Sequence, residues 1–101
     1  MTSISPTWTF LTNHTHTLLV IWRQPDVRVR DIAEQVGITE RAVMRIIREL
    51  TDAGFISITK QGRENRYEVV SDLHLRHPLE RNRTVGQLLD VLSKGEPIVS
   101  G

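Results

Sequence analysis

The chain has 101 residues, with 13 basic and 12 acidic side chains and a net charge of +1. This length suits one small domain. Because the charge is nearly balanced, a nucleic-acid partner has to be argued from the positions of the basic residues. The chain has no cysteine, which excludes disulfides and thiolate metal sites. It lacks the run of about 20 apolar residues that spans a membrane and the basic-then-apolar start of a signal peptide. We therefore expect a cytoplasmic protein with no membrane contact.

The first elements are a short aromatic segment and a helix. Residues 1–6 are small and polar and are predicted to be frayed. Residues 7–11 place apolar side chains at alternate positions, which predicts a strand or an arm laid on the same chain or on a partner. Residues 13–23 have an apolar face and end before Pro25, so they are predicted to form a helix capped by Thr12 or Asn13. Residues 27–29 are predicted to form a short edge strand.

Two further helices follow, separated by a glycine turn. Residues 31–36 have helical spacing and stop at Gly37, and Thr39 is a good N-cap for the next helix. That helix ends at Gly54. It carries a buried-type stripe at i, i+3, i+4 and i+7, formed by Val43, Ile46, Ile47 and Leu50. Two helices joined in this way, with arginines on the outward face of the second, are typical of a DNA-binding helix-turn-helix.

A β-hairpin is predicted after the helix-turn-helix. Residues 55–58 and 67–70 read as strands, and the polar, basic residues 59–66 lie between them. A helix-turn-helix followed by a basic hairpin is a winged helix. We therefore predict a mainly α fold with a small β-hairpin (α+β), a winged helix-turn-helix, over residues 7–72.

The C-terminal part is predicted to be an extension with one short helix. Residues 71–83 show little periodicity and are predicted to be an extended connection. Thr84 and Gln87 fit a capping box, and Gly86 weakens the helix that follows by up to about 1 kcal/mol relative to alanine. We predict a dimerisation extension over residues 73–92 and a disordered tail over residues 93–101.

Candidate DNA-contacting residues lie on the outward face of the third helix and on the wing. We predict that the recognition helix, residues 39–53, enters the major groove and that the wing, residues 59–67, lies at the minor groove. An arginine near the start of a recognition helix can bond guanine bidentately, with about 1–3 kcal/mol of discrimination. The predicted DNA-binding residues are Thr39, Glu40, Arg41, Met44, Arg45, Arg48, Lys60, Arg63 and Arg66. The alternative is an ordinary solvated helix face and a solubilising loop.

Within this set the residues have different predicted roles. Arg41 and Arg45 are four residues apart and share a face, so both are expected to reach bases. Arg48 lies a turn further on and is expected to reach a phosphate. Arg63 is predicted to enter the minor groove, while Lys60 or Arg66 touches phosphate. Glu40 either accepts a hydrogen bond from the amino group of cytosine or interacts favourably with the positive N-terminus of the helix.

Other chemistry has little support in the sequence. Four histidines, His14, His16, His74 and His77, would form a metal site only if the C-terminal segment returned to the first helix. Residues at i and i+2 on a helix do not share a face, so we predict no metal and no cofactor. The chain contains no nucleophile elbow and no phosphate-binding glycine loop. We therefore do not expect an enzyme.

The helix-turn-helix and wing residues also resemble a known family. The segments 37–43, 53–56 and 62–67, with Arg45 and Leu50, look like the winged helix-turn-helix of bacterial and archaeal regulators of the MarR and ArsR type. The flanking segments 8–14, 77–80 and 84–86 are similar to a group of small stand-alone regulators. The resemblance covers about residues 7–92 and implies a DNA-binding transcriptional regulator.

Together these patterns predict a sequence-specific regulator that binds double-stranded DNA, with a homodimer expected and no effector specified. The predicted dimerisation residues are Trp8, Phe10, Leu11, Val85, Leu88, Leu89 and Leu92. In the competing arrangement, the C-terminal helix folds back on the first helix of its own chain. Two other functions are left open. One is a winged helix that binds protein without DNA, and the other is a histidine-dependent metal sensor.

Overall fold

A computed structural model describes residues 7–94 of the chain. Its elements are α1 (Asn13–Arg23), α2 (Val29–Val36), α3 (Glu40–Asp52), β1 (Ile56–Gln61), β2 (Glu64–Val69) and α4 (Val85–Lys94). These helices and the antiparallel hairpin confirm the predicted winged helix-turn-helix. The predictions for residues 1–6 and for most of the tail, residues 95–101, lie outside the described part. None of the helices in residues 7–94 is long and apolar enough to cross a bilayer.

The α2–α3 turn has the geometry that its sequence predicts. Gly37 has a φ of +85°, a left-handed conformation that glycine adopts without strain. Its amide donates to the Ala33 carbonyl at 2.8 Å, which closes α2. Thr39 then caps α3, because its Oγ1 accepts a hydrogen bond from the Ala42 amide at 3.0 Å. The two caps fix where one helix stops and the next begins.

The core fixes which face of α3 points outward. The predicted stripe of Val43, Ile46, Ile47 and Leu50 is buried, with exposed fractions between 0% and 7%. Ile21 of α1 and Ile32 of α2 belong to the same buried cluster. With one face of α3 inside this cluster, the opposite face lies in solvent.

The hairpin extends further than predicted, and the predicted strand before α2 is wrong. The strands pair from Ile56 with Val69 to Gln61 with Glu64, so the turn contains only Gly62 and Arg63. The outer half of the hairpin, residues 59–66, is exposed on both faces, so its sequence shows no alternation of apolar and polar residues that would mark it as strand. No strand forms at residues 27–29 in the described chain; α2 begins at Val29.

Only the base of the hairpin is anchored in the protein. Ile56 and Tyr67 are buried, with exposed fractions of 3% and 4%. The Tyr67 amide donates to the Pro25 carbonyl at 2.9 Å, and the Val70 amide donates to the Phe55 carbonyl at 2.9 Å. The rest of the hairpin therefore projects from the domain as a wing.

The C-terminal segment is a closed loop and a helix packed on α1. His74 and Thr84 form an antiparallel bridge, so residues 71–83 are not simply the extended connection that we predicted. The predicted capping box is confirmed: the Gln87 amide donates to Thr84 Oγ1 at 3.1 Å, and the Thr84 amide donates to Gln87 Oε1 at 2.8 Å. Helix α4 runs through Lys94, so its last two residues are helical although a disordered tail from residue 93 was predicted.

Candidate nucleic-acid interface

The outward face of α3 carries three arginines around a concavity. The concavity is shallow and has a volume of about 790 Å³. Its lining consists of Ala42 and five of the predicted contact residues: Thr39, Arg41, Met44, Arg45 and Arg48. Met44 has an exposed fraction of 56%, which is high for an apolar side chain. Glu40 is exposed in the first turn of α3, where the positive end of the helix dipole stabilises a carboxylate. It does not line the concavity.

The charges on this face are mostly available to a partner. Within residues 7–94, Arg41 and Arg48 form no ion pair with a carboxylate. Arg45 donates through Nη1 to Glu49 Oε2 at 3.2 Å. Its side chain nevertheless keeps an exposed fraction of 58%. The surface can therefore present guanidinium groups to base edges or phosphates.

The wing places its three basic residues in different directions. Arg63 lies in the two-residue turn at the tip. Lys60 is on the same face of the hairpin as the buried Tyr67, because it is an even number of positions from Ile58, the cross-strand partner of Tyr67. Arg66 is on the opposite face. Since all three are exposed, the tip and one of the two faces can approach a duplex together.

A cluster of three charged or polar side chains, which we did not predict, joins α3 to α1. His14 Nε2 lies 2.7 Å from Glu49 Oε1, and Arg45 Nη1 lies 3.3 Å from the same oxygen. The hydrogen bond with His14 is the largest cause that lowers the pKa of the Glu49 carboxyl, and Arg45 lowers it further. The i, i+4 spacing of Arg45 and Glu49 is visible in the sequence, whereas no local pattern indicates His14.

The histidines are not gathered into one site. His14 and His77 both line a groove of about 930 Å³ between α1, the end of α3 and the loop at residues 75–80. His16 instead bonds Asn13 Oδ1 at 3.1 Å, and His74 Nδ1 lies 2.7 Å from the Arg81 carbonyl oxygen. In the described part of the chain, no group of three or more His, Asp or Glu residues could hold a metal ion.

The predicted dimerisation residues separate into two groups. Val85 and Leu89 have exposed fractions of 3% and 0% and belong to the core of their own chain, in the folded-back arrangement. Leu11, Leu88 and Leu92 are half-buried. Val85 and Leu89 are therefore buried within a single chain, whereas the dimerisation role predicted for the whole set stays a prediction.

The two aromatic residues near the N-terminus remain accessible. Trp8 and Phe10 have exposed fractions of 66% and 91%. Their rings pack edge to face with centroids 4.9 Å apart and planes at 81°. They form a small apolar arm ahead of α1 that the described chain does not cover.

The match to a family model agrees with this geometry. Residues 12–57, from the N-cap of α1 into β1, match the family model described as winged helix-turn-helix DNA-binding. No curated protein sequence matches the chain. Among solved structures, the chain is similar to the zinc-dependent MarR family transcriptional regulator AdcR in the Zn(II)-bound state. That similarity has 17% identity and a TM-score of 0.47, over 94% of this chain and 69% of the other.

The family match covers α1 and both helices of the helix-turn-helix, including the arginine-bearing face of α3. The predicted resemblance to winged helix-turn-helix proteins is confirmed. Residues 12–57 thus match the model of a winged helix-turn-helix DNA-binding domain, and this match supports a DNA-binding transcription regulator.

Proposed function

We propose that this DNA-binding transcription regulator recognises a specific sequence in double-stranded DNA, with α3 in the major groove and the β1–β2 wing at the minor groove. The observation that carries the proposal is the outward face of α3, where Arg41, Arg45 and Arg48 line one concavity opposite the buried stripe. A major groove about 12 Å wide admits an α-helix. The direction of this face follows from packing, because the core holds the other side of the helix.

The arginines differ in what they can reach. Arg41 and Arg45 lie in the first half of α3, the part of a recognition helix that contacts base edges. Arg48 lies a turn further along and is better placed for a phosphate. Base contacts specify a sequence, whereas phosphate contacts position the protein on any sequence. The three residues should therefore respond differently to substitution.

We expect Arg41→Ala or Arg45→Ala to reduce discrimination at particular base pairs by about 1–3 kcal/mol. Arg48→Ala should weaken specific and scrambled duplexes alike. An operator is first selected from a random duplex library at a defined salt concentration. Affinities of each variant for that operator, for its single-base-pair variants and for a scrambled duplex are then measured.

The outcome also separates the proposal from a winged helix that binds only protein. If no duplex is selected and the protein does not bind scrambled DNA even at low salt, the function is not DNA binding. If the three variants leave every affinity unchanged, α3 is not the recognition helix.

The wing supplies a second expected result. Arg63→Ala should lower affinity most for operators with A·T-rich flanks, where the minor groove is narrow. It should also reduce the slope of log K against log salt by about 1, because one positive charge that neutralises a phosphate is lost. Lys60→Ala and Arg66→Ala, on opposite faces of the hairpin, are the matched comparisons: the variant that loses a phosphate contact should also reduce the slope, but neither should change the flank preference. An unchanged slope and unchanged flank preference for Arg63→Ala would place the tip in solvent.

We also propose that the protein acts in the cytoplasm as a homodimer. Support comes from the uncovered Trp8 and Phe10 and from Val91, which has an exposed fraction of 72%. Two copies related by a twofold axis could place two α3 helices one DNA turn apart, about 34 Å. Sedimentation equilibrium tests this state, and a single chain at tens of micromolar would contradict the dimer.

A further inference from the structure

We propose that Glu49 is a positioning residue, which orients Arg45 for base recognition while His14 of α1 holds Glu49 in place. The inference rests on the proposed function, because it concerns how one arginine of α3 is presented to DNA. Glu49 itself need not contact the duplex. Its role would be to decide how sharply Arg45 distinguishes one base pair from another.

The hydrogen bonds leave one edge of Arg45 available. Only Nη1 of its guanidinium bonds Glu49, with distances of 3.3 Å to Oε1 and 3.2 Å to Oε2. In residues 7–94, Nε and Nη2 have no hydrogen-bond partner. A guanidinium has five N–H donors in a fixed plane, so this edge can still donate to both O6 and N7 of guanine. The contact with Glu49 and bidentate recognition are therefore compatible.

His14 gives this arrangement its rigidity. Glu49 is on an exposed turn of α3, and its side chain has an exposed fraction of 49%. A surface carboxylate with only an i, i+4 partner is weakly held. The bond from His14 Nε2, at 2.7 Å, comes from a different helix and fixes the carboxylate from the other side. Arg45 is thereby tied through Glu49 to the framework of the domain.

Glu49 should have opposite effects on selectivity and on general affinity. An arginine that is already oriented loses less rotamer freedom when it binds the correct base pair. At a wrong base pair, the N–H donors of the same arginine are left without acceptors. Glu49 therefore favours the correct base pair. Its negative charge also repels phosphates, so it weakens binding to every sequence. Removing Glu49 should lower discrimination while general affinity stays the same or rises, a combination that loss of structure would not produce.

The experiment measures discrimination at the base pair that Arg45→Ala identifies. We expect Glu49→Ala to reduce the operator-to-variant affinity ratio there by about two- to tenfold, from side-chain ordering alone. Affinity for a scrambled duplex should not fall. Asp52→Ala is the matched control, since Asp52 is another carboxylate of α3 and forms no ion pair in the described chain. It should leave the ratio unchanged.

A double-substitution cycle and two His14 variants complete the test. In an Arg45→Ala background, Glu49→Ala should no longer change the ratio. His14→Ala should reproduce part of the Glu49→Ala loss, and His14→Gln, which keeps an N–H donor, should restore it. Thermal unfolding of each variant verifies that the domain remains folded.

The failures are distinguishable. If Arg45→Ala changes discrimination at no base pair, the proposed reading role of Arg45 is wrong, and the inference falls with it. If Arg45→Ala does change discrimination but Glu49→Ala changes it no more than Asp52→Ala, the proposed function stands and the positioning role is overturned.

Discussion

Leu89→Ala is expected to lower the free energy of unfolding by about 2–5 kcal/mol. Leu89 has an exposed fraction of 0% and lies in the core cluster, on the face of α4 that packs against α1. Replacement by alanine removes buried methyl groups and leaves a cavity among side chains that relax only in part. The loss should appear in urea unfolding as a lower midpoint with an unchanged slope.

Leu88→Ala is the matched control, one residue away on the same helix. Leu88 is half-buried, so within a single chain the loss should be smaller than at Leu89. If a dimer covers Leu88, the stability lost in Leu88→Ala will depend on protein concentration, because association contributes to the stability of the folded state. Equal losses at both positions, independent of concentration, would contradict the packing of α4 on α1.

Gly86→Ala is expected to lower the free energy of unfolding by about 1–3 kcal/mol. In an unconstrained helix this change would stabilise by up to about 1 kcal/mol. Here an added Cβ would lie 2.8 Å from Ser71 Cβ and 2.9 Å from the Ser71 carbonyl oxygen. The Gly86 amide donates to that same oxygen at 2.9 Å, so the backbone cannot move apart without losing a hydrogen bond.

The double variant Ser71→Gly/Gly86→Ala is the control. It removes the Cβ contact but keeps the contact with the carbonyl oxygen, so it should recover only part of the lost stability. Urea unfolding of the two single variants and the double variant gives the coupling between the positions. If Gly86→Ala is as stable as the unchanged protein, the close approach of α4 to residue 71 does not exist in solution.

The elements that could be predicted are those in which one face is buried and the other is not. The α3 stripe has a clear helical period, and the caps at Thr39 and Thr84 are local in sequence. The outer part of the hairpin could not be predicted, because residues 59–66 are exposed on both faces and show no alternation of apolar and polar residues. Gly86 appeared only to weaken a helix, since its close contact is with a residue outside that helix.

The candidate site divides in the same way. The outward arginines of α3 follow from the period of the buried stripe, so sequence was sufficient to place them on one surface. The i, i+4 spacing of Arg45 and Glu49 could also have been recognised. The contact of His14 with Glu49 joins residues 35 positions apart, and only the packing of α1 on α3 produces it. The difference in burial between Leu88 and Leu89 likewise depends on how α4 packs.

The short turn of the wing constrains how its length can change in evolution. Gly62, with a φ of +64°, begins a two-residue turn flanked by the pair Gln61 and Glu64. Side chains alternate between faces, and hydrogen-bonded pairs alternate with non-hydrogen-bonded ones. Inserting one residue in each strand would therefore point the side chains at the tip toward the opposite face of the hairpin. It would also exchange a hydrogen-bonded pair for a non-hydrogen-bonded pair, or the reverse, next to the turn. Homologous wings that keep Arg63 facing the same groove should differ by two residues in each strand, a step of about 7 Å.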